Sequence, residues 1–319
     1  PIVNNITFVD LSFINNTADY GGAVYILFND TNYVTCSFNK PLSFGIFREI
    51  ITVGIPASLA QFLSSFGFVA KKCQYGIEQN YLSIKTKQDE KSSGWGKGEY
   101  YIINCPNLYL MNHKMIDYVE YILVETFQNL IKSLDKKPKK VLVVGLGNRE
   151  IICDSFGVFS TQKIVVSGGL SSTLLKRKVY CLCPMVETQS GIQTYLVVES
   201  IAKSLKVDLV ILIDSLMTKS VNRLGHSFQF SSSGIIPGGA VGKTKRIDKN
   251  SLGIDTISIG VPFMMDLSEI SDNIKKHIVV APKDISYEIK KSSDIIANVL
   301  NRVFYPNISK QEICELLPI

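Results

Sequence analysis

The sequence predicts an α/β fold: a mostly parallel central sheet covered by helices on both faces, with an atypical N-terminal extension. Three observations carry this. "KKVLVVGLGN", "VDLVILID" and "DTISIGVP" are continuous apolar runs, the mark of strands buried on both faces. They alternate with "MIDYVEYILVETFQNLIKSL", "GIQTYLVVESIAKSLK" and "YEIKKSSDIIANVLNRVF", whose apolar residues recur at helical spacing. Alternation of that kind builds parallel strands with helices packed over them. The chain has 319 residues, 46% of them hydrophobic, enough for a substantial core.

The elements follow in three textures. Residues 1 to about 40 are Asn-rich and alternate apolar with polar, as short strands between turns would. Within them "FINNTADYGGAVY" resembles one rung of the parallel β-helix repeats of surface adhesins, and about three rungs are needed to bury a face. Residues 41 to about 70, with "FREIITVGIPASLAQFLSSFG", resemble the first helix of a multidrug exporter. Residues 1–76 are therefore taken as an atypical segment of fusion character, and 77–319 as one α/β domain. In that domain "GEYYIINCPNL" reads as a strand, and in the long helix Ile116, Val119, Leu123, Phe127, Leu130 and Leu134 share a face. "TQKIVVSGG" and "RKVYCLCP" are further strand candidates, and "YEIKKSSDIIANVLNRVF" is the closing helix.

Composition excludes several classes. The net charge is +6, with Lys and Arg scattered among Asp and Glu, so no direct nucleic-acid contact is expected. The cysteines at 36, 73, 105, 153, 181, 183 and 314 show no zinc spacing, and an odd count argues against a disulfide framework. Buried thiols in a reducing cytoplasm are the simpler account. No secretory signal pattern is visible. The most apolar run, Val53 to Ala70, carries Pro56, serines and a glutamine, and no membrane association is expected.

Two motifs suggest nucleotides and fail on inspection. "GGAVGKT" ends like a phosphate loop, but the required first glycine falls on Pro237, which has no N–H to donate. "GLGN" would need glycine at 150 for a dinucleotide fingerprint, and Glu150 stands there. No cofactor is expected. Gly145 and Gly147 let the backbone turn sharply at the strand end.

In open parallel sheets, ligands bind beyond the carboxyl ends of the strands. Asp214 closes "VDLVILID", and Asp154 lies in the loop after "VLVV". A carboxylate among apolar neighbours is costly unless paired or used. Two at adjacent strand ends can share a proton and act as acid and base on a water. For Asp154 the competing reading is an N-cap ahead of "SFGVFS". The histidines 113, 226 and 277 are isolated; His226 is the one that could complete a metal site, a satisfied histidine being the commoner outcome.

The same stretches carry a family resemblance. "VLVVGLGNREIICDSFG", "QSGIQT", "DLVILIDSLMTKSVNRL", "SGIIPGGAVGKTKR", "SLGIDTISIGVP" and "VVAPKDI" resemble, in order and spacing, the germination protease of spore-forming bacteria, from about residue 80 to about 308. The resemblance implies a fold like that of the hydrogenase-maturation endopeptidases. It implies an endopeptidase that degrades small acid-soluble spore proteins at germination, made as a tetrameric zymogen in the cytoplasm of the forespore or spore core. The family's two catalytic aspartates fall on Asp154 and Asp214. The glycine-rich segment becomes a loop near the active site, so Gly145, Gly147, Asn148, Gly238, Gly239, Lys243 and Arg246 are candidates for lining the substrate cleft, with the basic residues attracting acidic segments.

The sequence departs from the family pattern. Ile152-Cys153 replace Thr-Pro before the first aspartate, and Gln193 and Ser232 stand where the family has carboxylates. Residues 1–70 occupy the place of the family's Arg-Thr-Asp-Leu-Ala processing segment, so zymogen control by that route is not expected. Two alternatives are a nickel-binding maturation-type peptidase using the same carboxylates, and a non-catalytic protein that grips acidic peptides.

Overall fold

The computed structural model describes residues 69–93, 95–169, 177–238, 245–267 and 278–316. The adhesin-like and exporter-like stretches, and Val53–Phe68 of the apolar run, lie outside the described residues. In chain order the main unit, residues 68–82 and 98–319, contains β1 (Val69–Lys72), β2 (Glu78–Ile84), β3 (Gly98–Asn104), α1 (His113–Lys132), β4 (Lys140–Gly145), α2 (Phe156–Thr161) and β5 (Lys178–Leu182). There follow α3 (Thr194–Leu205), β6 (Leu209–Met217), β7 (Ser227–Ser231), β8 (Asp255–Asp266), β9 (Val279–Val280), α4 (Ile285–Phe304) and α5 (Lys310–Leu316). The second unit takes up the chain from Ser83, at the end of β2; its described residues, 83–93 and 95–97, include a helix, Lys87–Ser93, opened by a reciprocal Thr86–Asp89 cap.

The strands form one mixed sheet in the order β1-β2-β3-β7-β8-β6-β4-β5, with β9 paired to β8. The predicted parallel core is β5-β4-β6-β8, in register Val141↔Val179, Val141↔Leu209 and Leu209↔Asp255. An antiparallel wing extends it, with β7 pairing both β8 and β3, and β1 pairing β2. The sheet thus begins upstream of residue 77, where the sequence texture changes.

Because side chains alternate across a strand, β4 and β6 feed two cores. Val141, Val143, Leu209, Ile211 and Ile213 pack under α1, α2 and α4. Leu142, Val144, Val210 and Leu212 pack under α3, against Tyr195, Val198 and Ala202. Helix α1 starts where Asn112 Oδ1 accepts the Met115 N–H at 3.1 Å. Buried Glu120 ties α1 to α4, accepting from Asn298 Nδ2 at 2.8 Å with Arg302 at 3.5 Å. Among the described residues no helix is long and apolar enough to cross a membrane.

One predicted strand is absent. "TQKIVVSGG" runs from the end of α2 into irregular chain. Val165 N–H donates to Asn301 Oδ1 and its carbonyl accepts from Tyr305 Oη, both at 2.9 Å. Side chains around the end of α4 therefore take the backbone groups of Val165 that a ladder would need, and β5 is reached at Val179, whose carbonyl accepts the Ser167 and Gly168 N–H groups and whose N–H donates to Ser167 Oγ.

Candidate active site

The loop after β4 folds back on itself. Gly147 has φ +103°, and a Cβ there would overlap the carbonyl oxygen of Asp154. That turn brings the Asn148 N–H to 2.7 Å from Asp154 Oδ2. Asn148 Oδ1 in turn accepts from the Glu150 N–H at 2.9 Å and from Gln189 Nε2 at 3.3 Å. The N-cap reading of Asp154 does not survive: Ser155 holds the cap position of α2, and the Asp154 carboxylate is spent on Asn148. Gly145 and Gly157 serve packing. A Cβ on Gly145 would overlap the Gly157 carbonyl, and one on Gly157 would overlap the carbonyls of Ile213 and Leu146, so α2 sits directly on the end of β4 and on β6 at Ile213.

Asp214 is not the last residue of its strand, as the sequence suggests. β6 continues to Met217 along β8, while β4 stops at Gly145, opposite Ile213. Asp214 is therefore the first residue of β6 past the end of β4, where the Asp154 loop fills the gap. By alternation it belongs to the Val210–Leu212 face. Only 8% of it is exposed. Burial pushes its carboxyl up to about 8; the neighbouring charge of Asp154 adds to the rise, and the Ser215 N–H partly offsets it. Asp154 is also raised by burial, against the lowering effect of the Asn148 N–H. Both carboxyls are thus raised by burial, Asp214 the more strongly, while at Asp154 the Asn148 N–H offsets part of the rise.

The glycine-rich segment roots on the same face. Ile235 and Ile247 exchange N–H···O bonds of 3.0 and 2.8 Å and pack in the core beneath α3. Beside them Ser258 Oγ, level with Leu212, reaches the Gly234 carbonyl at 3.5 Å. Gly238 has φ +59° with open space around it; Gly239 and Lys243 lie outside the described residues. Arg246 staples the root: Nε and Nη2 donate to the Ser233 carbonyl at 3.1 and 2.9 Å, with Asp248 at 3.5 Å. Lys245 Nζ sits 3.6 Å from the centroid of the Tyr195 ring. Both described basic residues of the segment are thus held by the protein itself.

Other candidates disperse. His226 stacks near Tyr109, centroids 5.2 Å apart, and its carbonyl accepts the Cys105 N–H; burial lowers its pKa. Among the described residues no interaction links it to either aspartate, and no group of three or more His, Cys, Asp or Glu gathers as metal ligands would. Ser232 Oγ accepts the Glu99 N–H at 2.9 Å, and Gln193 stands at the start of α3 without capping it. Ile152 is exposed and Cys153 half-buried beside Asp154. Sequence reasoning did not single out Gln189, which touches Asn148 across 41 positions, or Ser233, which anchors Arg246, although each opens a stretch that carries the family resemblance.

Fold and site define the class: an α/β protein with a carboxylate pair at the carboxyl end of the parallel half of its sheet. A family model described as germination protease matches residues 64–278. The chain belongs to the germination protease family. A germination protease of Geobacillus sp. (strain WCH70) is 32% identical over 63% of this chain and 57% of its own length. That of Bacillus velezensis is 33% identical over 69% and 63%, so the chain spans about three fifths of the length of these two relatives. A germination protease of Clostridium perfringens is 26% identical over 78% of this chain and 91% of its own. A solved NiFe hydrogenase maturation protease, HycI from Thermococcus kodakarensis KOD1, covers 55% of this chain and 98% of its own at 17% identity and a TM-score of 0.34, an overlap too loose to bear on function.

Proposed function

We propose that the chain is an endopeptidase in which Asp154 and Asp214 hydrolyse peptide bonds of small acid-soluble spore proteins, in the spore core or forespore. The observation that carries the reading is the unequal carboxyl pair: Asp214 is buried with its carboxyl pushed up to about 8, while at Asp154 the Asn148 N–H offsets part of the smaller rise that burial causes. One group is then a base and the other an acid at neutral pH, which water attack on an amide needs. The Asp154 carboxylate takes a proton from water as the oxygen bonds to the scissile carbon. Asp214, protonated, donates a hydrogen bond to the carbonyl oxygen on which charge develops. When the C–N bond breaks, the proton held by Asp154 passes to the departing nitrogen, leaving a carboxyl product and an amine. The described root of the glycine-rich segment, Ile235 and Ile247, shares the Leu212 face of the sheet with Asp214, which supports its part in binding the peptide.

The test mixes the chain with a purified small acid-soluble spore protein and follows intact substrate by mass spectrometry, beside Asp154→Asn and Asp214→Asn. Cleavage by the parent and by neither folded variant is expected. Cleavage retained in Asp214→Asn would sink the mechanism, and binding without cleavage by the parent would favour a peptide-gripping relic.

A further inference from the structure

We propose that the amino ends of β5, β4 and β6 form a docking surface for the phosphate backbone of duplex nucleic acid, at the end of the sheet remote from the two aspartates. Scattered in sequence, six lysines are gathered by strand register. Lys140 pairs with Lys178, whose N–H donates to the Lys139 carbonyl at 2.8 Å. Asp208, two residues after Lys206, donates its N–H to the Lys140 carbonyl at 2.8 Å. Lys136 and Lys137 lead into the same edge. Lys136, Lys137, Lys139, Lys178 and Lys206 are exposed, and among the described residues none of them forms an ion pair.

The acidic groups nearby are engaged. Asp208 Oδ2 accepts the Lys139 and Lys140 N–H groups, both at 2.9 Å. The patch stops at β8, where Lys249 Nζ lies between Asp135 at 2.6 Å and Asp255 at 2.7 Å. Helices α1 and α3 also end here, and their C-terminal dipoles bring about half a negative charge each. Lys140 Nζ answers one of them, 3.4 Å from the Leu205 carbonyl. With Asp208, the Asp135–Lys249–Asp255 group and both dipoles counted, about three positive charges remain on the surface. Dipole compensation therefore accounts for only part of the cluster.

The chemistry favours phosphate over other partners. Lysines are point charges that suit phosphate without reading sequence. The stretches carrying them, "KSLDKKPKK", "RK" and "KSLKVD", contain no aromatic residue on which an unpaired base could stack, which points to a duplex. The edge spans three strands, about 10 Å at strand spacing. β4 separates it from the Asp154 loop by six residues, about 20 Å, so a bound duplex leaves the carboxylates open.

Fluorescence anisotropy of a labelled duplex of about 20 base pairs tests this, with the salt varied. Binding whose affinity falls roughly 60-fold between 50 and 200 mM salt, a log–log slope of about −3, is expected. Lys136→Gln/Lys139→Gln/Lys178→Gln should flatten the slope by about one per contacting lysine with an unchanged melting temperature, and Lys137→Gln/Lys206→Gln serves if that variant does not fold. No binding at 50 mM salt, or equal binding by a folded variant, overturns the proposal. So does polyglutamate that displaces the duplex and binds more tightly, which would assign the surface to an acidic protein. None of these readouts depends on peptide cleavage.

Discussion

Replacing Asp214 with asparagine should abolish cleavage and yet stabilise the folded chain. An aspartate carboxyl ordinarily titrates near 3.8, and in the fold that of Asp214 is pushed up to about 8. Between these values the folded protein keeps a proton that the unfolded chain has released. A carboxyl raised by folding therefore costs nothing below about pH 4, destabilises progressively as the pH rises, and levels off above about 8. Each pH unit in that window is worth about 1.4 kcal/mol, so the cost at pH 7 is about 4 kcal/mol. Asparagine keeps the outline of the protonated acid and cannot ionise. Urea unfolding of parent and Asp214→Asn at pH 5, 6, 7 and 8 measures the difference. The variant should gain about 2 kcal/mol at pH 5 and about 4 at pH 7. Parallel stability profiles in the two proteins would refute the reasoning, because they would mean that Asp214 ionises normally in the fold.

Asp154→Asn removes the neighbouring charge, so the midpoint of the Asp214 step should move to lower pH, visible by carboxyl NMR, while turnover is lost. For the parent, kcat/KM should fall on the alkaline side near pH 8 as Asp214 ionises, and a profile flat to pH 9 would contradict its role as the acid. Gly147→Ala should lower stability by about 1–3 kcal/mol by thermal melting, since φ is +103° and the new Cβ overlaps the Asp154 carbonyl, and cleavage should drop with it. Arg246→Ala should speed hydrogen exchange across Ile235–Ile247 and raise KM more than it lowers kcat, because its contacts anchor the loop root rather than the aspartates.

The apolar runs of β4, β6 and β8 and the periodic helices α1, α3 and α4 could be read directly, because burial on both faces and packing on one leave different spacings in the chain. Asp214 was legible for a similar reason, since a carboxylate after an apolar run is costly enough to stand out, and Asp154 was legible from its place in the loop after β4. The antiparallel wing was not: β1 is four exposed residues, β2 has no continuous apolar run, and β7 pairs with β3 more than 120 positions upstream. "KIVV" has the composition of a strand, but Asn301 and Tyr305 claim the backbone groups of Val165.

The sequence by itself determined which residues are apolar enough to be core and which acids stand among them. Only the tertiary structure decided their chemistry. Gly147 turns the Asn148 N–H onto Asp154 and so moderates the rise of its carboxyl, whereas burial and the neighbouring Asp154 push that of Asp214 up to about 8. Lys136, Lys178 and Lys206, each unremarkable in its own stretch, became one charged edge because parallel register sets strand ends side by side. Charge and dielectric depend on distances through space, and those exist only once strands distant in sequence have paired.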